Sequence, residues 1–178
     1  REKVFPRTTD KQATNKLRKM NTRQLVEAWD ACGSPGTLDG KNPSDGLRDA
    51  VSKMVAHDIR HDSAKATDEF LSVSLQLQDE DEELDGATIY DVAPGDRETI
   101  DDNCQRFMME SYDILSRNNI TPDQWGGELG LAGAGTGFTD RDYAPKEDLE
   151  KLDELKTEIV GYGDTSPVMC EDGKVHFE

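Results

Sequence analysis

Aromatic residues are scarce in this chain: they make up 6% of its 178 residues, and the hydrophobic share is 34%. These values predict a modest core, since a domain of roughly 150 residues buries about two-thirds of its unfolded surface. No apolar run approaches the ~20 residues that a membrane-spanning helix needs. We therefore expect one domain, with or without an appended arm, and no transmembrane segment.

Cysteine is also sparse, since Cys32, Cys104 and Cys170 are odd in number and far apart. A disulfide framework needs paired cysteines, and a structural zinc site needs at least one Cys-x-x-Cys, so neither is predicted. A nucleophilic cysteine would need a partner histidine, and no histidine lies in a recognisable context. The expectation is a set of reduced thiols in a cytosolic protein without a cofactor.

Basic residues are concentrated at the start of the chain. Residues 1–23 hold eight Lys or Arg and two acidic residues, a net charge of +6. Because the whole chain carries −17, residues 24–178 carry −23. Such an excess of anions repels nucleic acid and anionic membranes and attracts basic protein surfaces. The charge predicts a basic protein as partner and no nucleic acid or membrane bound by the acidic part; a homo-oligomer stays open.

Composition and periodicity divide the chain into a basic N-terminal arm, residues 1–23, and a single acidic domain, residues 24–178. Within that domain, residues 24–78 are predicted to be helical and residues 79–95 to form an acidic loop. Residues 96–178 are predicted to hold a helix and hairpins. The alternation of Val73, Leu75 and Leu77 near the end of the helical part is equally typical of a strand.

The expected fold class is α+β. Helices from the first half and from residues 97–117 are predicted to pack on a small antiparallel sheet. Glycine-rich residues 127–141 and the Asp-Gly turn within residues 167–177 predict the two hairpins of that sheet. The leucine stripe of residues 146–160 predicts an amphipathic helix between them.

An acidic stretch precedes Gly86. Burying its carboxylates without partners would be prohibitive, so we expect them in solvent, where they can bind a basic partner. These predicted partner-binding residues are Asp79, Glu80, Asp81, Glu82, Glu83 and Asp85. The stretch resembles the front of a calcium loop, but Val92 stands where the closing bidentate Glu is required. Tight calcium binding is therefore not expected.

His57-Asp58-Ile59-Arg60-His61 places two imidazoles four residues apart, which is metal-ligand spacing on a helix. Asp58 stands where a metallohydrolase of this pattern has a Glu general base, and His176 is the only other histidine. The ordinary alternative is a polar helix end. No metal site is predicted, and a metal-dependent hydrolase stays an alternative.

Three stretches of the second half match a known pattern in order and spacing: Leu84–Pro94, Asp102–Phe107, and Gly133–Arg141 followed by Cys170–Phe177. With them the chain resembles an uncharacterised family of small proteins encoded by tailed bacteriophages, over roughly residues 70–178. The resemblance implies a phage origin and a setting in the host cytoplasm or, alternatively, the virion. It implies no activity.

The chain departs from that family inside the glycine-rich turn. Leu131, Ala132 and Ala134 stand where members usually carry Arg, Asn and His, and Thr139 stands in place of an aromatic. The residues that are retained imply a structural turn, with an Asp–Arg pair suited to clamp it. These turn residues are Gly133, Gly135, Gly137, Phe138, Asp140 and Arg141.

The leading hypothesis is a non-enzymatic phage accessory protein that binds a basic host or phage protein through its acidic surface. One form of it is mimicry of nucleic acid, for example to inhibit a host defence protein, since spaced carboxylates can imitate phosphates. A virion or assembly component whose basic arm docks on a neighbour is the first alternative. The second is a hydrolase that uses His57 and His61.

Overall fold

Four α-helices and a two-stranded antiparallel sheet form the part of the chain that the structure describes, which confirms the α+β class. The structure is a computed structural model and describes residues 45–78, 80–161, 163 and 165–178. The predicted basic arm, Cys32 and Asp79 lie outside these residues. The elements are α1 (Asp45–Gln76), α2 (Pro94–Arg117), α3 (Pro122–Gly130), α4 (Lys146–Val160), β1 (Pro167–Met169) and β2 (Val175–Phe177).

Helix α1 is 32 residues long and includes the stretch at Val73, Leu75 and Leu77 that was equally compatible with a strand. Three short 3₁₀ turns connect the helices, at Glu82–Leu84, Ile89–Asp91 and Phe138–Asp140. The predicted helix at 146–160 coincides with α4, whereas α2 begins at Pro94, earlier than the predicted residue 97. Proline suits the first turn because its missing N–H would have no helical partner there.

The predicted hairpin at residues 127–141 is wrong. Residues 122–130 form α3, and residues 138–140 form a 3₁₀ turn. Thr121 and Gln124 begin α3 with a reciprocal capping box: the Gln124 amide donates to Thr121 Oγ1 at 3.3 Å, and the Thr121 amide donates to Gln124 Oε1 at 2.9 Å. This start signal prevails over the glycine content, because capping satisfies amides that an uncapped helix leaves unpaired.

Glycines of α3 lie directly against the backbone of α1. A Cβ on Gly126 would be 2.5 Å from the carbonyl oxygen of Ala66, and one on Gly130 would be 2.8 Å from that of Phe70. Gly126 and Gly130 are four residues apart on α3, and Ala66 and Phe70 are four residues apart on α1. One face of α3 therefore runs along one face of α1. The glycines therefore permit a helix crossing closer than the usual 8–10 Å separation.

Three aromatic rings form the centre of the core. Phe107 of α2 stacks on Trp125 of α3 at 5.4 Å between ring centroids and on Phe138 at 5.7 Å. All three side chains are buried. Aromatic side chains bury more surface than other side chains. The packing of these three rings therefore holds α2, α3 and the loop that follows α3 together.

The predicted hairpin at 167–177 is confirmed, with β1 and β2 paired in the register Val168 to His176. Gly173 has a φ of 76°, the left-handed conformation that the predicted Asp-Gly turn needs. Val175 forms a bridge to Val92, and its carbonyl accepts from the Ala93 amide at 2.8 Å. The hairpin is thereby fixed beside the first residues of α2.

None of the helices in the described ranges combines the length and the apolar character needed to cross a lipid bilayer.

Candidate functional site

The acidic residues predicted to bind a partner lie on a short projecting segment between α1 and α2. Asp81 caps the 3₁₀ turn Glu82–Leu84 by accepting from the Glu83 amide at 3.0 Å. Leu84 is buried and fixes this turn to the core. The described members of the predicted set are all exposed: Glu80, Asp81, Glu82, Glu83 and Asp85. We call these five residues the acidic segment.

Next along the chain, a second 3₁₀ turn presents Tyr90 to solvent. Thr88 and Asp91 build a capping box around it: the Thr88 amide donates to Asp91 Oδ2 at 2.7 Å, and the Tyr90 amide donates to Thr88 Oγ1 at 3.3 Å. Tyr90 is 86% exposed, although aromatic rings are normally at least partly buried. The turn therefore holds a large ring outward on a hydrogen-bonded base.

An open groove of about 430 Å³ lies between the acidic segment and the end of α1. Its apolar lining comes from Leu75, Ala87 and Ile89, and its polar lining includes Asp81 and Asp85. Ile89 belongs to the same turn as Tyr90. The acidic segment, Tyr90 and this groove thus form one surface, whose groove has a mixed wall because Ser72, Gln76, Gln78 and Thr88 also line it. We call it the acidic groove surface.

Several arginines of the described chain pair with carboxylates outside the acidic segment. Arg97 pairs with Asp68, Arg106 with Glu158 at 2.6 Å, and Arg117 with Asp148 at 2.9 Å. No Lys or Arg within the described ranges lies within 4 Å of a carboxylate of the acidic segment. Within the described ranges its charges therefore have no cation partner, and the basic residues 1–23 lie outside those ranges.

The residues assigned to the glycine-rich turn are brought together after α3, but Phe138 is core rather than turn surface, with no exposed area. Gly135 takes a left-handed φ of 75°. A Cβ on Gly137 would be 2.7 Å from a carboxylate oxygen of Asp153. Gly133 lies against Gly163, on which a Cβ would collide with the Gly133 backbone. The segment is therefore held tightly between α3 and α4.

Asp140 and Arg141 do fix this segment, each through a different partner. Asp140 Oδ2 accepts from the Gly137 amide at 2.8 Å, and Arg141 donates to Glu128 of α3, which is only 2% exposed. From α4, Asp153 accepts from the Phe138 and Thr139 amides at 2.7 and 3.1 Å. These bonds satisfy the backbone amides of Gly137, Phe138 and Thr139 in a loop where only Phe138 is buried.

Lys156 of α4 lies beside the same loop and is 5% exposed. Its Nζ donates to the Thr136 carbonyl at 3.2 Å. Burial lowers the pKa of Lys156, and the charge of Glu128 acts in the opposite direction. Glu128 Oε2 has no hydrogen-bond partner among the described residues. The sequence signals no role for Glu128, Asp153 or Lys156, because each looks like an ordinary polar residue of an amphipathic helix.

The histidine pair of the HDxxH stretch does not converge with Asp58. His57 and His61 stack at 6.1 Å between ring centroids, and Nδ1 of His57 accepts from Arg60 at 3.0 Å. Asp58 accepts from the Tyr112 hydroxyl of α2 at 3.0 Å. Among the described residues no three His, Cys, Asp or Glu side chains are arranged to hold a metal ion.

His176 of β2 lies between two carboxylates. Its Nε2 is 2.8 Å from Asp172 Oδ2 in the hairpin turn, and its Nδ1 is 3.0 Å from Asp96 Oδ2 in the first turn of α2. Both ring nitrogens can donate only in the imidazolium form. The hydrogen bond to Asp172 is the main cause that raises the pKa of His176, and the same bond lowers the pKa of Asp172.

We expect the docking of the hairpin on α2 to weaken as the pH rises. The pKa of His176 in the folded protein lies above its ordinary 6.5. The stabilisation from the protonated ring is therefore complete below pH 6.5 and is lost as the pH rises through the folded pKa. At the acid end the bond between Asp172 and His176, which lies within the hairpin, is lost as the pH falls through the folded pKa of Asp172, below its ordinary 3.8. A proton NMR titration of the His176 ring should give a midpoint above 6.5, and Asp172→Asn should lower it. A midpoint at or below 6.5 would contradict the assignment.

The two cysteines in the described ranges, Cys104 and Cys170, are poor nucleophiles. Cys104 is fully buried on α2, and burial raises its pKa to about 12. The pKa of Cys170 is also raised, by desolvation first and by the surrounding carboxylates next. A thiol reacts as its thiolate, so neither environment activates sulfur at neutral pH. Both are free thiols.

Comparison with known proteins gives no match: no family model, no curated protein and no solved structure is similar to this chain.

Proposed function

We propose that this protein is a non-enzymatic binding protein that captures a basic protein segment on its acidic groove surface. The observation that carries the proposal is the exposed Tyr90 beside five exposed carboxylates that have no cation partner in the described chain. Carboxylates steer a cationic partner and accelerate its approach, whereas an exposed ring supplies contact area and affinity.

The groove also favours a partner that carries an apolar side chain in addition to its positive charges. Leu75, Ala87 and Ile89 line a channel of about 430 Å³, which accommodates an apolar side chain of the partner. Tyr90 can stack on an Arg or Lys of the partner, a contact that contributes ~0.5–1 kcal/mol at an exposed site. We therefore infer a partner segment in which Lys or Arg residues flank at least one apolar residue.

Two observations support a role without catalysis. The thiol of Cys104 is held protonated, with a pKa of about 12. Asp58 binds the Tyr112 hydroxyl, which directs it toward α2 rather than toward an ion shared by His57 and His61.

In the more specific form of the proposal, the partner is a nucleic-acid-binding protein of host or phage in the host cytoplasm, and the carboxylates occupy its phosphate sites.

Calorimetric titration with a peptide of alternating Lys/Arg and Leu tests this proposal. We expect binding that weakens with added salt, since surface charges are screened within ~10 Å at 0.1 M ionic strength. Replacing Glu80, Glu82 and Glu83 together by Gln should weaken binding by about tenfold or more, because the attraction between close charge pairs is lost. Tyr90→Ala should weaken it about tenfold, and Tyr90→Phe should retain most of the affinity.

The matched control is the triple change of Glu98, Glu154 and Glu171 to Gln. These three residues are exposed and lie outside the acidic groove surface. Their substitution changes the net charge by the same amount as the triple change in the acidic segment. The control should bind within about twofold of the unmodified protein, a difference smaller than one hot-spot contact. Equal weakening by both triples would mean diffuse attraction by overall charge, and the proposed surface would be rejected.

A further inference from the structure

We propose that a second cavity, separate from the acidic groove surface, binds a small organic cation with an apolar body. The cavity has a volume of about 780 Å³, within the ~300–1,000 Å³ of small-molecule sites. Both strands of the hairpin and all four helices contribute residues to its wall. Only Gln78 borders both this cavity and the groove beside the acidic segment.

The apolar part of the wall suits an aromatic or aliphatic body. Phe70 of α1 and Phe177 of β2 lie at 6.3 Å between ring centroids, and Leu129 of α3 and Ile159 of α4 complete the wall. Leu129 is fully buried, whereas Phe70, Ile159 and Phe177 are half-buried and reachable. An apolar body that enters the cavity would cover surface that these side chains now leave open to water, which is favourable in proportion to its area.

Among the described residues, those that give the wall its charge are all anionic. Asp96 and Glu158 line the cavity, and no Lys or Arg of the described chain does so. Each carboxylate belongs to a cluster with an excess negative charge: Asp96 and Asp172 share His176, and Glu158 and Glu110 share Arg106. With His176 in its imidazolium form, two carboxylates on one cation leave a net −1 at each cluster, although Asp172 and Glu110 lie outside the cavity wall. The potential in the cavity is therefore negative, which favours an ammonium group over a carboxylate or phosphate.

Asn103 supplies the hydrogen-bonding group. It lines the cavity from α2 and is half-buried, and its amide makes no hydrogen bond to another described residue. A half-buried amide without a partner gains a bond when a ligand presents a donor or an acceptor, and this contact fixes orientation. An apolar body with one ammonium head and an adjacent polar group therefore matches the wall.

The test uses three probes of one shape: 4-phenylbutylamine, 4-phenylbutanol and 4-phenylbutanoate, titrated into isotopically labelled protein and followed by amide NMR shifts. Molecules of this size bind with dissociation constants on the order of 1 mM. We expect affinity to fall from the amine through the alcohol to the acid, with about tenfold between the amine and the acid from charge alone. The amine should shift the amides of Ile100, Asn103, Val160, Ser166 and Phe177.

A blocking variant separates the cavity from general charge attraction. Ala134 is exposed at the cavity rim, so Ala134→Trp should abolish the amine-induced shifts. Ala64 is exposed on α1 outside the cavity, and Ala64→Trp should leave them unchanged. Circular dichroism would verify that both variants fold; if Ala134→Trp does not, Thr99→Trp on α2 gives a second block of the same cavity.

Three results would overturn this proposal. The first is a set of shifts confined to the acidic segment, which would indicate diffuse ion pairing there. The second is equal binding of amine and acid, and the third is amine binding that survives both Ala134→Trp and Thr99→Trp. Because the Tyr90 and Glu→Gln variants lie on the other surface, failure here leaves the capture of a basic segment untouched, and the reverse also holds.

Discussion

Gly126→Ala is expected to destabilise the protein by about 3 kcal/mol or more, which corresponds to a melting temperature lowered by roughly 10 °C. The new methyl group would lie 2.5 Å from the Ala66 carbonyl oxygen and 2.6 Å from its Cα. Both are backbone atoms of α1 and cannot rotate away, so the two helices must separate. Separation opens the core around Trp125, which is 1% exposed. Thermal and denaturant unfolding followed by circular dichroism would measure the loss.

The neighbouring Gly127 is the matched control for that substitution. A Cβ there would lie 3.6 Å from Glu69 Cγ and 3.8 Å from a methyl carbon of Val73, which are ordinary contacts. Because alanine is favoured over glycine inside a helix by ~1 kcal/mol, Gly127→Ala should be neutral or stabilising. If Gly126→Ala and Gly127→Ala have equal effects, the close crossing of α1 and α3 is contradicted.

Arg141→Met is expected to destabilise the protein by about 3 kcal/mol, because it leaves the carboxylate of Glu128 buried without its ion-pair partner. Glu128 is 2% exposed, and its Oε2 already has no hydrogen-bond partner among the described residues. Lys156 stays nearby, but its Nζ already donates to the Thr136 carbonyl, so it offsets the loss of Arg141 only in part. Chemical denaturation would give the difference in the free energy of unfolding.

A second substitution separates the charge effect from lost packing. Adding Glu128→Gln to Arg141→Met removes the uncompensated charge and should recover part of the stability. The control is Lys146→Met, which breaks a pair with Glu150 at 3.8 Å whose side chains are 85% and 53% exposed. That change should cost less than about 0.5 kcal/mol, as surface pairs do. An Arg141→Met protein as stable as the Lys146→Met protein would show that the buried carboxylate needs no partner.

The elements predicted correctly are those with a local signal. The leucine stripe of α4 has helical periodicity, and the Asp172-Gly173 turn demands a left-handed residue whatever surrounds it. The exposure of Glu80–Glu83 follows from hydration alone, because no core can accept adjacent carboxylates without partners. In each case the interactions that decide the structure are those within the segment itself and between the segment and water.

The glycines of α3 show why the other elements were not predictable. Gly126 and Gly130 suit a turn and a close helix contact equally well, and the choice depends on whether Ala66 and Phe70, some 60 residues earlier, lie opposite. Phe138 has the same ambiguity: beside glycines it is typical of a turn, yet it is buried against Phe107. The capping box at Thr121 and Gln124 and the proline at position 122 were the local signs of the helix.

The sequence by itself determined the helix of α4, the closing hairpin, the α+β class and the acidic segment on the surface. The tertiary structure alone decided that Tyr90 stands outward near a groove of mixed lining, that His176 joins two carboxylates, and that Glu128 and Arg141 pair across the loop after α3. The physical reason is range: periodicity, turn conformation and hydration act within a few residues, whereas contacts between residues far apart in sequence arise only when helices pack.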